Sequence, residues 1–351
     1  MNSYKRVVLA EGVTRRVFLG TVGTTGFALA AGGLISGETT TPAEKRVRSN
    51  AKGTGSNEIT LSYYPWITQS ISGQPLADAI HGFAQILEAA ISAEVGNQIS
   101  VTVLPEIEIP QQIADIRAEP LSPVLGKIAL MNPVGYALTH EQVVAVKAVV
   151  VVRRRIGPSP PGPTYKAQIY TNSSTGINSL TELRKRSFAF GSPQSTSNFL
   201  VPAHMLWVSG VHPINAFSRL EFAGGHDLAA KAVYEGRVEA GAGHDGVIAD
   251  LAAKPGYSDA TTRLKRLAWS EDIPSDPIAI HTASSEIAAA IQRALLAVAK
   301  SNDSGSAGNQ AVKKFWGTDE GFQSTNEDSY RSLLPYLKDL SLRPDDLLHK
   351  W

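Results

Sequence analysis

The sequence predicts an α/β protein of two lobes, each built on a mixed, mostly parallel sheet, with the chain crossing between the lobes twice. Three observations predict this. Residues 58 to 104 read as strand, helix and strand, the order that makes a parallel sheet with crossover helices. The β-branched run Val143 to Val152 then ends in Arg153-Arg154-Arg155 and a stretch, residues 157 to 163, with four prolines in seven residues, which no sheet interior accommodates. A second series of strand and helix patterns fills residues 166 to 269, and the proline-punctuated segment Ile273 to Ile280 reads as the way back to the first lobe.

In chain order, Glu58 to Tyr64 alternates Ile59, Leu61 and Tyr63 on one side and is ended by Pro65. Helical spacing follows from Pro75 to Ile91, then a strand over Ile99 to Leu104, a helix over Ile107 to Arg117, and a short strand over Lys127 to Met131 that leads into the loop Asn132-Pro133-Val134-Gly135-Tyr136. Lys166 to Thr171 opens the second lobe, and Ser179 and Glu182 stand at capping-box spacing. Strands are expected at 187–190, 219–222, 237–242 and 264–269, with helices starting near Leu228 and Val247. Ser285 to Lys300 and Tyr330 to Leu340 supply further helices for the first lobe. The expected division is 57–152 plus 276–351 for the first lobe, 164–270 for the second, and 153–163 and 271–275 as hinge crossings.

Lys and Arg number 33 against 32 Asp and Glu, so no overall basic excess points to nucleic acid. Cysteine is absent, which excludes disulfides, thiolate metal sites, a cysteine nucleophile and a lipid-modified cysteine anchor. At the amino terminus, Thr14-Arg15-Arg16-Val17-Phe18-Leu19 is a twin-arginine pattern followed by a weakly apolar run to Ile35. Residues 1–37 are therefore expected to be a Tat-type export signal, and the polar stretch 38–56 a disordered linker. The protein is expected in the periplasm or at the cell surface, tethered to the membrane if the signal is not cleaved.

The centre of the chain is Ser187 to Gly210. A short strand ends at Gly191-Ser192-Pro193, and Ser195, Thr196 and Ser197 precede an apolar run of helical spacing from Phe199 to Val208. A helix N-terminus offers free backbone donors and about half a positive charge, so hydroxyls clustered there suit the holding of an oxyanion. The bland reading is that Ser195 or Ser197 only caps the helix. Gly224-Gly225-His226-Asp227 and His244-Asp245-Gly246 each open another helix and point a second pair of helix ends toward the same cleft. Tyr63 and Tyr64 close the first strand, at the end of a parallel sheet where ligands bind; one of them touches ligand, or both are packing.

Gly191-Ser192-Pro193-Gln194-Ser195-Thr196-Ser197-Asn198-Phe199-Leu200-Val201-Pro202 resembles the signature of the phosphonate-binding family, the periplasmic receptors of phosphonate and phosphite import systems. The similarity covers most of residues 57 to 340. It implies a two-lobed, type II periplasmic-binding-protein-like architecture that closes over a phosphonate, phosphite or phosphate-like oxyanion and delivers it to an ABC permease. The implied protein is a monomer with no enzymatic activity, no cofactor, no metal and no nucleic-acid partner. The resemblance carries anion contact onto Ser195, Thr196 and Ser197, onto Tyr136 in the loop after the third strand, and onto His226, which when protonated would add a charge-assisted bond. It places the family's acidic contact at Asp245, although His244 departs from the expected pattern. A carboxylate beside an oxyanion makes sense if the ligand brings a proton or an ammonium group.

Two other readings compete. The same fold serves receptors of sulfonates or other organic nutrients. An exported metal-dependent phosphohydrolase would use the His226-Asp227 and His244-Asp245 pairs as ligands and Ser195 as nucleophile, but Ser195 lacks the G-x-S-x-G elbow and there is no H-E-x-x-H.

Overall fold

The computed structural model describes residues 57–68, 72–121, 124–155, 160–301, 303–343 and 346–347. The export signal and the linker expected over residues 1–56 lie outside them, as do residues 156–159 of the proline-rich run.

The first sheet begins with three parallel strands, β1 (Glu58–Ser62), β2 (Ser100–Val103) and β3 (Val124–Leu130), with β1 in the middle. Helix α1 (Gln74–Val95) joins β1 to β2 and buries Leu76, Ile80, Phe83, Leu87 and Ile91; it stops at Gly96, whose left-handed φ of 73° only glycine adopts cheaply. Helix α2 (Ile109–Arg117) leads into β3. The stretch after β3, expected to be a loop, is helix α3 (Pro133–Gln142). Asn132 caps it by accepting the Gly135 N–H at 2.7 Å, and Pro133 takes the first-turn position that needs no N–H. Strand β4 (Lys147–Val152) follows, buried along Ala148 to Val152.

The chain then crosses through β5 (Thr164–Tyr165) to β6 (Ala167–Asn172) and β7 (Ser187–Phe190). A wide π-type turn over Thr196–Leu200 runs into α4 (Val201–Val208), followed by β8 (Arg219–Phe222), α5 (His226–Tyr234), β9 (Ala240–His244), α6 (Val247–Ala252), α7 (Ala260–Arg263) and β10 (Leu264–Trp269). The second sheet has the order β10-β6-β9-β7-β8, with β8, β7 and β9 parallel and β6 antiparallel to both of its neighbours, β9 and β10. The return passes through β11 (Ile273–Pro274), which pairs antiparallel with β5, so the two crossings form one small ribbon.

Only the first part of Ile273 to Ile280 is a crossing, because β12 (Pro277–His281) already belongs to the first sheet. It inserts between β3 and β4, antiparallel to both. After α8 (Ser285–Val298) and α9 (Ala307–Trp316), β13 (Phe322–Ser324) completes the first sheet as β13-β4-β12-β3-β1-β2, and α10 (Asp328–Arg331) and α11 (Leu334–Asp339) follow. Both sheets are therefore mixed, as expected, with β1, β2, β3 and β4 running one way in the first and β7, β8, β9 and β10 one way in the second. The reason for β6 and β12 is topological: each arrives from the other sheet, enters from the opposite end and runs antiparallel to its neighbours. The main buried cluster is continuous from Leu61 and Phe83 through Val134 and Phe199 to Phe188 and Ala240, while Tyr170, Val233 and Leu251 belong to a smaller cluster.

Candidate functional site

The C-terminal ends of β7, β8 and β9 carry the segments 191–197, 223–226 and 244–246, and those of β1 and β3 carry Tyr63-Tyr64 and Met131-Asn132. This is where open α/β sheets hold ligands. After β7, Ser195 caps the helix: its Oγ accepts the Asn198 N–H at 3.1 Å. The first turn is wide because Pro202 has no N–H to return to Asn198, and the bonds run from Leu200 N–H to Ser195 O (3.1 Å) and from Val201 N–H to Thr196 O. Asn198 is fully buried and its Oδ1 accepts the Gly191 N–H. A Cβ on Gly191 would stand 2.6 Å from Asn198 Cγ, so only glycine fits above it.

Facing this turn is the start of α3. The Val134 N–H donates to Thr196 Oγ1 at 3.0 Å, and Asn132 Nδ2 donates to the Gln194 carbonyl at 3.0 Å. Two helix N-termini, each partially positive, thus point at one another, and electron-rich oxygens lie between them. Thr196 and Ser197 are 2% and 3% exposed. Ser197 makes a side-chain hydrogen bond with Tyr165, whose phenol burial pushes far above its ordinary range.

Beyond Tyr165 lies Arg154. Its guanidinium sits 5.5 Å over the Tyr165 ring, its Nε donates to Ser275 Oγ at 2.8 Å, and a terminal nitrogen donates to the Asp276 carboxylate. Burial opposes the guanidinium charge, and Asp276 and Tyr165, with Asp245 further off, hold its pKa above the ordinary value all the same. Tyr64 belongs to this group: burial first, then Asp276 and Tyr165, raise its phenol, and Arg154 opposes them. Tyr63 belongs elsewhere, raised by burial and by Glu106. Alternation along the strand end separates the two tyrosines.

On the second sheet, His226 Nε2 lies 3.5 Å from Ser195 Oγ while its Nδ1 accepts the His244 N–H at 3.1 Å. An Nδ1 that accepts fixes the neutral tautomer with the proton on Nε2. Burial, then the charges of His244 and Arg154, lower the His226 pKa well below 6.5. The charge-assisted bond that a protonated His226 would add is thus opposed by its surroundings, and His226 stands as a neutral donor. The same tautomer removes the nucleophile reading of Ser195, since the imidazole turns a proton toward the hydroxyl and has no lone pair there to serve as base. The proposed metal pairs are also otherwise engaged, Asp227 with Lys254 at 2.9 Å and Lys231 at 3.7 Å, and His244 Nε2 with Asp250 at 3.3 Å. The Asp245 carboxylate accepts the Lys166 and Gly246 N–H groups at 3.3 and 3.1 Å, tying the start of β6 to the end of β9.

The structure therefore gathers Ser195, Thr196, Ser197, His226, Asp245 and Tyr64 around one region. It does not bring Tyr136 there. The Tyr136 hydroxyl accepts the Ala148 N–H at 2.9 Å in the core of the first sheet, and burial pushes its pKa up to about 12. Its ring packs edge-on against Tyr330 at 4.9 Å and lines a cavity of about 280 Å³ between α3 and the α10–α11 region. A second cavity, of about 300 Å³, lies beside β5 and β13. The earlier members of the same motif, Asn132 and Val134, are the ones that meet the second sheet.

Sequence reasoning missed Asn132, Tyr165, Arg154 and Asp276. Asn132-Pro133 is a helix-start signal, whereas the partners of Arg154 lie 121 and 122 positions away, at Ser275 and Asp276.

Residues 78–330 match the family model described as ABC transporter, phosphonate, periplasmic substrate-binding protein. Solved structures of similar fold include PhnD1 of Prochlorococcus marinus in complex with methylphosphonate (17% identity, 81% of this chain and 98% of that chain, TM-score 0.62). A binding protein component of an ABC phosphonate transporter from Pseudomonas aeruginosa matches at 19% identity over 84% and 92%, TM-score 0.58. A Xanthomonas citri protein bound to ATP matches at 17% over 82% and 98%, TM-score 0.59. With the family model spanning well over half of its length and two mixed sheets arranged as in these structures, the chain belongs to the periplasmic substrate-binding proteins of phosphonate ABC transporters, a non-enzymatic family.

Proposed function

We propose that the protein captures a phosphonate, or the related phosphite or phosphate, between its two sheets and hands it to an ABC permease after export by the twin-arginine route. The observation that carries this reading is the pair of opposed helix N-termini at Val134 and Thr196, with the His226 Nε2–H and the Arg154 guanidinium close by. Tetrahedral oxyanions suit that geometry, because several oxygens accept from N–H groups converging from two sides. Ligand oxygens would take over the Val134 N–H from Thr196 Oγ1, while Ser195, Ser197 and Tyr165 donate hydroxyl protons. Asp245 would accept from a P–OH or an ammonium substituent and so rank ligands.

Entry requires the halves 57–152 plus 276–351 and 164–270 to part about the two crossings, where the β5–β11 ribbon is the natural hinge. Titration calorimetry of the purified full chain with methylphosphonate, phosphite, phosphate and sulfate tests the reading. Saturable binding of a phosphorus oxyanion is expected, with about 2.7 kcal/mol of added stability at a hundredfold excess over Kd. Binding of none of the three phosphorus compounds, whether or not sulfate binds, overturns it. For the route, replacing Arg15 and Arg16 by Lys is expected to leave the protein in the cytoplasmic fraction.

A further inference from the structure

Arg154 joins the two crossings. Its backbone exchanges two hydrogen bonds with Gly162, both 2.8 Å, in the outgoing segment, and its side chain reaches Ser275 and Asp276 in the returning one. Asp276 is 7% exposed and is anchored in turn, its carbonyl accepting the Val152 N–H at 3.1 Å. The Ser275 carbonyl accepts the Tyr330 hydroxyl at 3.1 Å. The carboxylate is thus held in place by the first sheet. The guanidinium, in contrast, sits over the Tyr165 ring, one hydrogen bond from Ser197, and within electrostatic reach of His226 and Asp245 of the second sheet.

The Arg154 side chain is 27% exposed, so it is part-buried, and a part-buried cation left without a partner is unfavourable; the fixed carboxylate satisfies it in the ligand-free protein. The same carboxylate then stands against any anion that approaches Arg154. Resting on the oxyanion reading above, we infer that Asp276 is an internal competitor for the ligand: on binding, the Arg154 guanidinium turns from the Asp276 carboxylate to the ligand oxygens. Affinity is set by that exchange and not by capture of an unpaired cation. Because Arg154 and Asp276 sit in opposite crossings, the exchange also releases the staple between them at the moment the halves close on ligand.

The test is a double-mutant cycle read by calorimetry of the full chain with methylphosphonate, with circular dichroism to establish folding. Asp276→Asn keeps the size and loses the charge, and is expected to tighten binding about tenfold. Asp276→Glu restores the competitor and binds like the parent. Arg154→Gln weakens binding by a similar factor, and adding Asp276→Asn to it brings no gain. Should Asp276→Asn prove unstable, Ser275→Ala, which frees Nε of Arg154, tightens binding by a smaller factor. Unchanged or weaker binding in folded Asp276→Asn overturns the inference, as does equal tightening in the absence of Arg154. Neither result touches the functional reading, which fails only if the parent protein binds no phosphorus oxyanion.

Discussion

The Val134 N–H donates to Thr196 Oγ1 at 3.0 Å, joining, across 62 positions of sequence, the first turns of two helices that follow strands of different sheets. Both groups are buried. Thr196→Val removes the acceptor and leaves a buried N–H unpaired, a loss of about 1–3 kcal/mol, while Thr196→Ser keeps the oxygen. Urea denaturation curves should show the loss for valine and near-parent stability for serine.

Asn132 serves both sides of that contact, capping α3 through Oδ1 and reaching the Gln194 carbonyl through Nδ2. Asn132→Asp retains the cap and loses the donor; Asn132→Ala loses both. Alanine should cost about 1–3 kcal/mol and aspartate less, in the same denaturation measurement. Equal losses would mean that the cap contributes nothing.

Tyr136 separates a structural role from a ligand-binding one. Tyr136→Phe removes the oxygen that accepts the Ala148 N–H and is expected to lower stability by about 1–3 kcal/mol while leaving methylphosphonate affinity unchanged. Tyr165→Phe, which loses the bond to Ser197, should instead weaken binding. Calorimetry on the two variants decides, and a large affinity loss in Tyr136→Phe would restore that tyrosine to the site.

Gly191 and Asn198 are matched in shape. A methyl at Gly191 would fall 2.6 Å from Cγ of Asn198, which is fully buried. Gly191→Ala is expected to destabilise by about 1–3 kcal/mol through overpacking and to distort the Ser195–Ser197 turn. A lowered thermal midpoint together with weakened phosphonate binding is the expected pair of results.

Protonation of His226 is opposed by burial, His244 and Arg154, so its folded pKa lies well below 6.5. An unfolded chain binds this proton first as pH falls. Stability contributed by the neutral imidazole is complete above pH 6.5 and declines as pH drops from there toward the folded value, by at most about 1.4 kcal/mol per pH unit. Thermal midpoints measured from pH 7.5 to 5 should fall less steeply for His226→Gln than for the parent. Equal slopes would place the titration elsewhere.

Much of the fold could be read from local pattern. Period-two runs such as Glu58 to Ser62 and amphipathic stretches such as Ser285 to Val298 became the expected elements, because burial of one face dictates both spacings. The hydroxyl-rich turn before Phe199 was visible for the same reason: a strand end, a glycine and a cap residue are local signals. Helix α3 stands where a loop is expected, because the Asn132 cap and Pro133 at the first turn start a helix directly after β3.

The sequence by itself determined the α/β class, the position of the hydroxyl-rich turn from Ser195 to Ser197 and the family. Tertiary structure alone decided that β12 runs antiparallel to its neighbours, that Tyr64 and not Tyr63 joins the cluster around Asp276, that His226 is a neutral donor, and that Arg154 faces Asp276. The physical reason is range. Strand and helix periodicity arise from neighbours within a few residues, whereas the charge state of a histidine or the partner of an arginine depends on groups up to 122 positions away, brought together only when the two crossings pair.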